Sequence, residues 1–149
     1  SRTDTSGALI AAWASRPGHV LAAHDVVPDD AGAITAALTR LADEAHTDLV
    51  VTTGGTGFTV RDVTPEATRA VIERDVPGIA EAMRARGAAG TPYAMLSRGI
   101  AGLRGSTLVV NLPGSTGGVR DGLAVLEQVA HHAVQLLRGI DTENHQGNG

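Results

Sequence analysis

Two short runs, DLVVTT at residues 48–53 and STLVVNL at 106–112, are nearly all apolar and rich in valine. A strand with one wet face alternates apolar and polar residues. Runs such as these belong to strands covered on both faces, as in a sheet layered between helices. The flanking segments supply those helices. SGALIAAWAS (6–15) places Leu9, Ala12 and Trp13 at helical spacing, and residues 30–45 put Ile34, Leu38, Leu41 and Ala42 on one face. Residues 117–138 carry Val119, Leu123, Leu126, Val129, Ala130, Ala133, Leu136 and Leu137 with the same period and stop at Gly139. Thr64-Pro65-Glu66 reads as a helix start, with a capping hydroxyl, a proline at the first position and an acid in the first turn. That helix is expected to reach Arg74, and PGIAEAMRARG (77–87) forms another. HVLAAHDVV (19–27), closed by the turn signal Pro28-Asp29-Asp30, predicts a further strand. The expected architecture is α/β: a three-layer, doubly wound, mostly parallel sheet with helices on both faces. One domain over residues 1–140 is expected, followed by a flexible polar tail at 141–149.

The 149 residues are 42% hydrophobic and 19% charged, in keeping with one ordinary globular core. Cysteine is absent, which removes disulfides, thiolate metal sites and thiol nucleophiles and fits a cytoplasmic setting. The net charge of −4 argues against a basic nucleic-acid-binding surface. Trp13, Phe58 and Tyr93 are too few for a base-stacking platform. No apolar run of membrane-spanning length and no secretory leader is expected. Trp13, on an apolar helix face, is expected in the core or in a subunit contact, and the scattered histidines argue against zinc.

In an open α/β sheet, ligands bind beyond the carboxyl ends of the strands. Three segments leave strands with unusual chemistry: VPDD (27–30), TTGGTGFTVRD (52–62) and NLPGSTGG (111–118). They are expected to converge on one rim. The glycine-rich segment is not a Walker loop, because the chain contains no lysine, and it is not a dinucleotide fingerprint, because Val60 stands where a third glycine belongs. Its residues still suit anions. Gly54, Gly55 and Gly57 let backbone N–H groups approach a ligand and form a nest, and Thr52, Thr53 and Thr56 add hydroxyls. Pro113, Gly114 and Ser115 lead into a long helix, a second anion-binding terminus. Asp62 can cap the following helix or hold a divalent cation beside phosphates; Asp29 and Asp30 can do the same, one of them serving only as a cap. Arg98 in MLSRG reads as a phosphate clamp or as half of a surface ion pair.

The blocks TTGGTGFTVRDVTPEATRAVIERDVPGIAEAMR and AMLSRGIAGLRGSTLVVNLPGS, with VVPDD before them, resemble molybdenum-cofactor biosynthesis proteins of the MogA/MoaB type. Related G domains occur in gephyrin and in the plant cofactor-synthesis protein. The resemblance spans nearly the whole chain. It implies a molybdopterin-binding α/β domain, often a homotrimer, whose adenylyltransferase members use Mg²⁺ and ATP to attach AMP to the molybdopterin phosphate. Asp29 and Asp62 are then the catalytic and metal-binding acids. Thr52, Thr53, Gly54, Gly55, Thr56, Gly57, Thr64, Pro113, Gly114 and Ser115 form the substrate site. The implied partners are molybdopterin, ATP, copies of the chain and other proteins of molybdenum-cofactor biosynthesis, with neither nucleic acid nor membrane.

The sequence departs from the family pattern in two places. The family has a strand and a Ser-Asp loop before the point matched by SRTDTSG, and that strand is central in its sheet, so an incomplete sheet is expected here. Thr116, Gly117 and Gly118 replace a proline and a nearby lysine after Ser115, with Arg120 the candidate substitute. A non-catalytic molybdopterin carrier and an oligomeric scaffold of the MoaB type are the competing functions.

Overall fold

The computed structural model describes residues 5–139; the tail expected at 141–149 lies outside them. Helix α1 (Thr5–Ala14) comes first, and α2 (Ala31–Thr39) runs on into a wider π turn at Arg40–Glu44. Strand β1 (Leu49–Thr53) precedes α3 (Thr64–Arg69), the two-residue β2 (Arg74–Asp75) and α4 (Pro77–Ala88). A 3₁₀ turn at Pro92–Leu96 leads to β3 (Ala101–Arg104) and β4 (Thr107–Leu112), and α5 (Thr116–Arg138) ends the fold. Gly139 stops α5 in a left-handed conformation, φ 77°.

The sheet order is β1-β4-β3-β2. β1 and β4 pair in parallel, Val50 opposite Val109, while β3 joins β4 and β2 in antiparallel fashion. The sheet is therefore mixed. Strands β2 and β3 have no counterpart among the expected elements: the helix expected to reach Arg74 stops at Arg69, so Arg74–Asp75 pairs as β2, and IAGLR is short and carries a glycine where strands usually pack. Gly102 explains itself: a Cβ there would lie 2.5 Å from Ile72 Cδ1.

β4 is buried at every residue because both of its faces are covered. Leu108, Val110 and Leu112 pack with Trp13 of α1 and with Val119, Leu123 and Leu126 of α5. Val109 faces the other way, onto Leu38, Val50 and Val71. Trp13 belongs to the core, its indole N–H donating to Glu127 Oε1 at 2.8 Å. Helices thus cover both faces, as the apolar runs predicted.

The strand expected over 19–27 does not form. Val20 is 92% and Val26 87% exposed, and the segment enters no ladder. The reason is pairing rather than propensity: a strand needs a neighbour for its N–H and C=O groups. Among the described residues β1 is the one strand that shares a cavity with this segment, and there it is an edge strand whose free side faces a channel of about 1100 Å³. Residues 20–27 line that channel together with Leu49–Thr53 and the apolar face of α2.

Candidate functional site

The three loops do meet. Thr53 Oγ1 donates to the Pro113 carbonyl at 2.8 Å, and the Gly54 N–H donates to the Leu112 carbonyl at 3.0 Å. These two bonds carry the parallel β1–β4 pairing past the ends of the strands and hold the glycine loop against Pro113-Gly114. The packing is close, since a Cβ on Gly114 would sit 3.4 Å from Gly54 Cα. Ser6 of α1 donates to the Gly114 carbonyl from the other side, at 2.7 Å. Asp29 lines the 1100 Å³ channel beside Gly54, Gly55, Gly114 and Ser115. The same four residues also wall a second cavity of about 660 Å³, whose other sides include Asp62, Asn111, Asp121, Arg84, Ser97 and Ala94. Asp29 and Asp62 thus flank one shared wall.

Gly54 and Gly55 take positive φ, 86° and 69°. Gly55 also has no room for a side chain, because a Cβ would come within 2.2 Å of Thr64 Oγ1. Among the described residues no hydrogen bond uses the N–H groups of Gly55 or Thr56, which leaves them for a ligand, whereas the Gly57 N–H is turned to the Asp62 carboxylate. Most of the hydroxyls singled out in the sequence are already committed. Thr52 Oγ1 accepts from Asn111 Nδ2 at 3.0 Å, and Ser115 Oγ caps α5 by accepting from the Gly118 N–H. Thr64 is buried against Gly55 and its N–H donates to the Gly55 carbonyl. It does not cap α3; Val63 holds that position and offers no side-chain bond. What the rim presents to a ligand is therefore mainly backbone donors.

Asp62 does not cap α3 either. Its Oδ2 accepts from both the N–H and the hydroxyl of Thr59, each at 2.9 Å, closing a tight turn. The Thr59 N–H, then its hydroxyl, and more weakly the charge of Arg98 hold the carboxyl below the usual aspartate range. Asp30 is the acid that caps, accepting from the Ala33 N–H at 2.8 Å. Asp29 is left exposed, 3.7 Å from Arg61 Nη2, so the neighbour of Asp62 reaches across to the Pro28–Asp30 turn. A pair so exposed adds little stability. No group of three or more His, Cys, Asp or Glu side chains among the described residues could hold a metal by itself. Exposed single carboxylates of this kind suit an ion such as Mg²⁺, which takes one or two of them and completes its shell with water or substrate oxygens, and not a self-sufficient protein cage.

Two features escaped the sequence. Asn111, 4% exposed, donates to the Thr52 and Thr68 hydroxyls and accepts the Ile100 N–H, tying β1, α3 and the start of β3 together behind the rim. A lone amide inside STLVVNL was the available signal. Arg98 is neither a phosphate clamp nor only half of an ion pair, because its guanidinium bonds the backbone of the glycine loop itself.

A family model described as a probable molybdopterin binding domain matches residues 1–132. The chain belongs to that family. It is 40% identical to the molybdopterin adenylyltransferase of Helicobacter pylori over 116 residues, 78% of this chain and 66% of that protein, so it spans about two thirds of the relative's length. The structure of the molybdopterin biosynthesis enzyme MoaB from Thermus thermophilus superimposes with a TM-score of 0.86 at 46% identity, covering 93% of this chain and 87% of the other. The Mycobacterium ulcerans molybdopterin biosynthesis Mog protein gives 0.87 at 46%, with 93% and 89% covered. The α/β fold and the MogA/MoaB kinship expected from the sequence hold.

Proposed function

We propose that the chain is the adenylyl-transferring domain of molybdenum-cofactor biosynthesis, moving AMP from ATP to the molybdopterin phosphate. The observation that carries the reading is the joint rim of Gly54–Gly57 and Pro113–Ser115, where unpaired N–H groups face two cavities and a fixed carboxylate stands beside them. An oxygen of the molybdopterin phosphate attacks the α-phosphorus of ATP; the α–β bridging P–O bond breaks, and its electron pair leaves with pyrophosphate. Because the substrate supplies the nucleophile, the protein's task is positioning and charge neutralisation. The N–H groups of Gly55 and Thr56 cradle phosphate oxygens, and the α5 N-terminus behind Ser115 adds a favourable dipole. Asp29 and Asp62 would hold Mg²⁺, which supplies charge neutralisation on the phosphates when bound. Pyrophosphate release from molybdopterin, ATP and Mg²⁺ is expected. Tight molybdopterin binding with no pyrophosphate release would favour the carrier reading.

We further read residues 1–140 as one domain whose sheet accepts another strand along the free side of β1. The open edge and the apolar channel beside it support this. Slow amide exchange on the outward N–H groups of β1 in the full-length protein is expected, and fast exchange there counts against it. A homotrimer in the cytoplasm is the proposed assembly and setting. The exposed Phe58, Val60, Tyr93 and Met95 support assembly, and light scattering that finds a monomer would dismiss it. Trp13 takes no part, being in the core.

A further inference from the structure

Arg98 lies between the glycine loop and α3 and bonds to both. Its Nε donates to the Gly57 carbonyl and its Nη2 to the Asp62 carbonyl, each at 2.7 Å. Its Nη1 donates to Glu66 Oε2 of α3 at 2.6 Å. The backbone takes part as well, the Arg98 N–H donating to the Thr56 carbonyl at 2.8 Å. One residue thus fixes the loop at Thr56, Gly57 and Asp62 and anchors it to the helix that follows. Ser97 and Gly99 line the smaller cavity while Arg98 itself does not. We propose that Arg98 is a positioning residue for this site, setting the loop N–H groups and the Asp62 carboxylate in place without touching substrate. The proposal rests on the reading that this loop grips the phosphates.

The chemistry demands arginine. A rigid planar fork can serve two carbonyls and a carboxylate in different directions at once, whereas an ammonium is a single point on a flexible stem. Glu66 fixes the far side of that fork, and its own carboxyl is held below the usual range first of all by the Arg98 hydrogen bond. The carbonyls of Gly57 and Asp62 are both held by Arg98, so the two ends of the Thr59–Asp62 turn are fixed to one guanidinium.

The test compares wild type with Arg98→Lys and, as a gentler second variant, Glu66→Gln. Amide exchange over residues 54–62 is read against β4, the internal reference for global stability. Faster exchange in 54–62 with β4 unchanged is expected, together with a fall in kcat of roughly 10- to 100-fold for Arg98→Lys, as misplaced catalytic groups give. A smaller fall is expected for Glu66→Gln. The KM for molybdopterin should change far less than kcat, because Arg98 does not line the cavity. A purely structural role would lower the folded fraction and leave kcat per folded molecule unchanged. Wild-type exchange in 54–62 of a folded Arg98→Lys protein overturns the proposal. Faster exchange with unchanged turnover overturns its link to the reaction. If wild type itself releases no pyrophosphate, the adenylyltransferase reading fails, while the exchange comparison still decides whether Arg98 braces the loop. Should Arg98→Lys not fold, Glu66→Gln carries the same comparison.

Discussion

The Gly54–Asp62 loop and the 20–29 segment both reach the rim at the carboxyl end of β1, one on each side of the strand. The loop is tied down along its length: to Leu112 and Pro113 at its start, to Arg98 at Thr56 and Gly57, and by the Thr59–Asp62 turn at its end. The 20–29 segment has fewer restraints. Arg40 bonds Asp25 at 2.9 Å, Arg61 approaches Asp29, and Val20 and Val26 lie almost bare. Neither difference follows from local composition, since the glycine-rich side is the more flexible chain in isolation and the valine-rich side the stiffer. Order here comes from partners. β1 has a strand on the β4 side and none among the described residues on the other, and each flank takes the order of what it can bond to.

The sharpest way to break this comparison is at Asp62. Asp62→Asn keeps a side-chain oxygen for the Thr59 bonds but removes the charge. Pyrophosphate release should fall by roughly 10²- to 10³-fold, the range for losing one well-placed electrostatic group, with molybdopterin affinity changed far less. Equal loss of both in a folded variant would reduce Asp62 to a turn-closing residue.

Glycine substitutions come next. Gly55→Ala meets two costs, about 1–2 kcal/mol for left-handed backbone and about 1–3 kcal/mol for overlap with Thr64 Oγ1. Gly54→Ala meets only the first, since nothing lies within 4 Å of its Cβ. Urea midpoints should rank wild type above Gly54→Ala above Gly55→Ala. Equal midpoints for the two variants would mean that Thr64 moves aside. Behind the rim, Asn111→Leu strands the Ile100 N–H and removes the donor to two hydroxyls, an expected loss of about 1–3 kcal/mol in the same titration.

These residues also show where sequence is informative. DLVVTT and STLVVNL announce double-sided burial because apolar runs are a property of the strand itself. The convergence of the loops that leave β1 and β4 follows from the rule for strand ends, though 27–30 reaches the rim without a strand before it, and the positive φ of Gly54 and Gly55 follows from what only glycine does cheaply. The 19–27 strand failed on a partner, which no window of sequence contains. The cap expected of Thr64, and offered for Asp62 as the alternative to metal binding, does not form because S/T/D before a helix has several local bonds to choose from, and here Gly55 and Thr59 are the nearer partners. Arg98 was visible as a charge, but its three bonds join residues 32 to 41 positions apart, beyond any spacing rule.

Acidification reads the braced flank more gently. Asp62 is held below the ordinary aspartate range by its Thr59 bonds, so their contribution is complete above that range and is lost as pH falls through the lowered value. Exchange protection over 59–62 should stay flat through neutrality and decline only in acid. In Thr59→Val, which loses the hydroxyl donor, the decline should begin at higher pH. The same onset in both proteins would show that the hydroxyl bond has no part in keeping Asp62 ionised.

The smallest expected effect is on the other flank. Val20→Ser and Val26→Ser remove apolar surface that is 92% and 87% exposed, so this protein should change in stability by less than about 0.5 kcal/mol. The result bears on the whole comparison because valines facing water contribute through the unfolded state at most, whereas a buried valine loses about 1.5–3 kcal/mol of transfer energy when replaced by a polar group. Denaturant midpoints for the two serine variants therefore report directly on whether anything covers the 20–27 side of the channel. A loss of buried-valine size at both positions would mean that this segment is packed against a partner, making the two flanks of β1 equals.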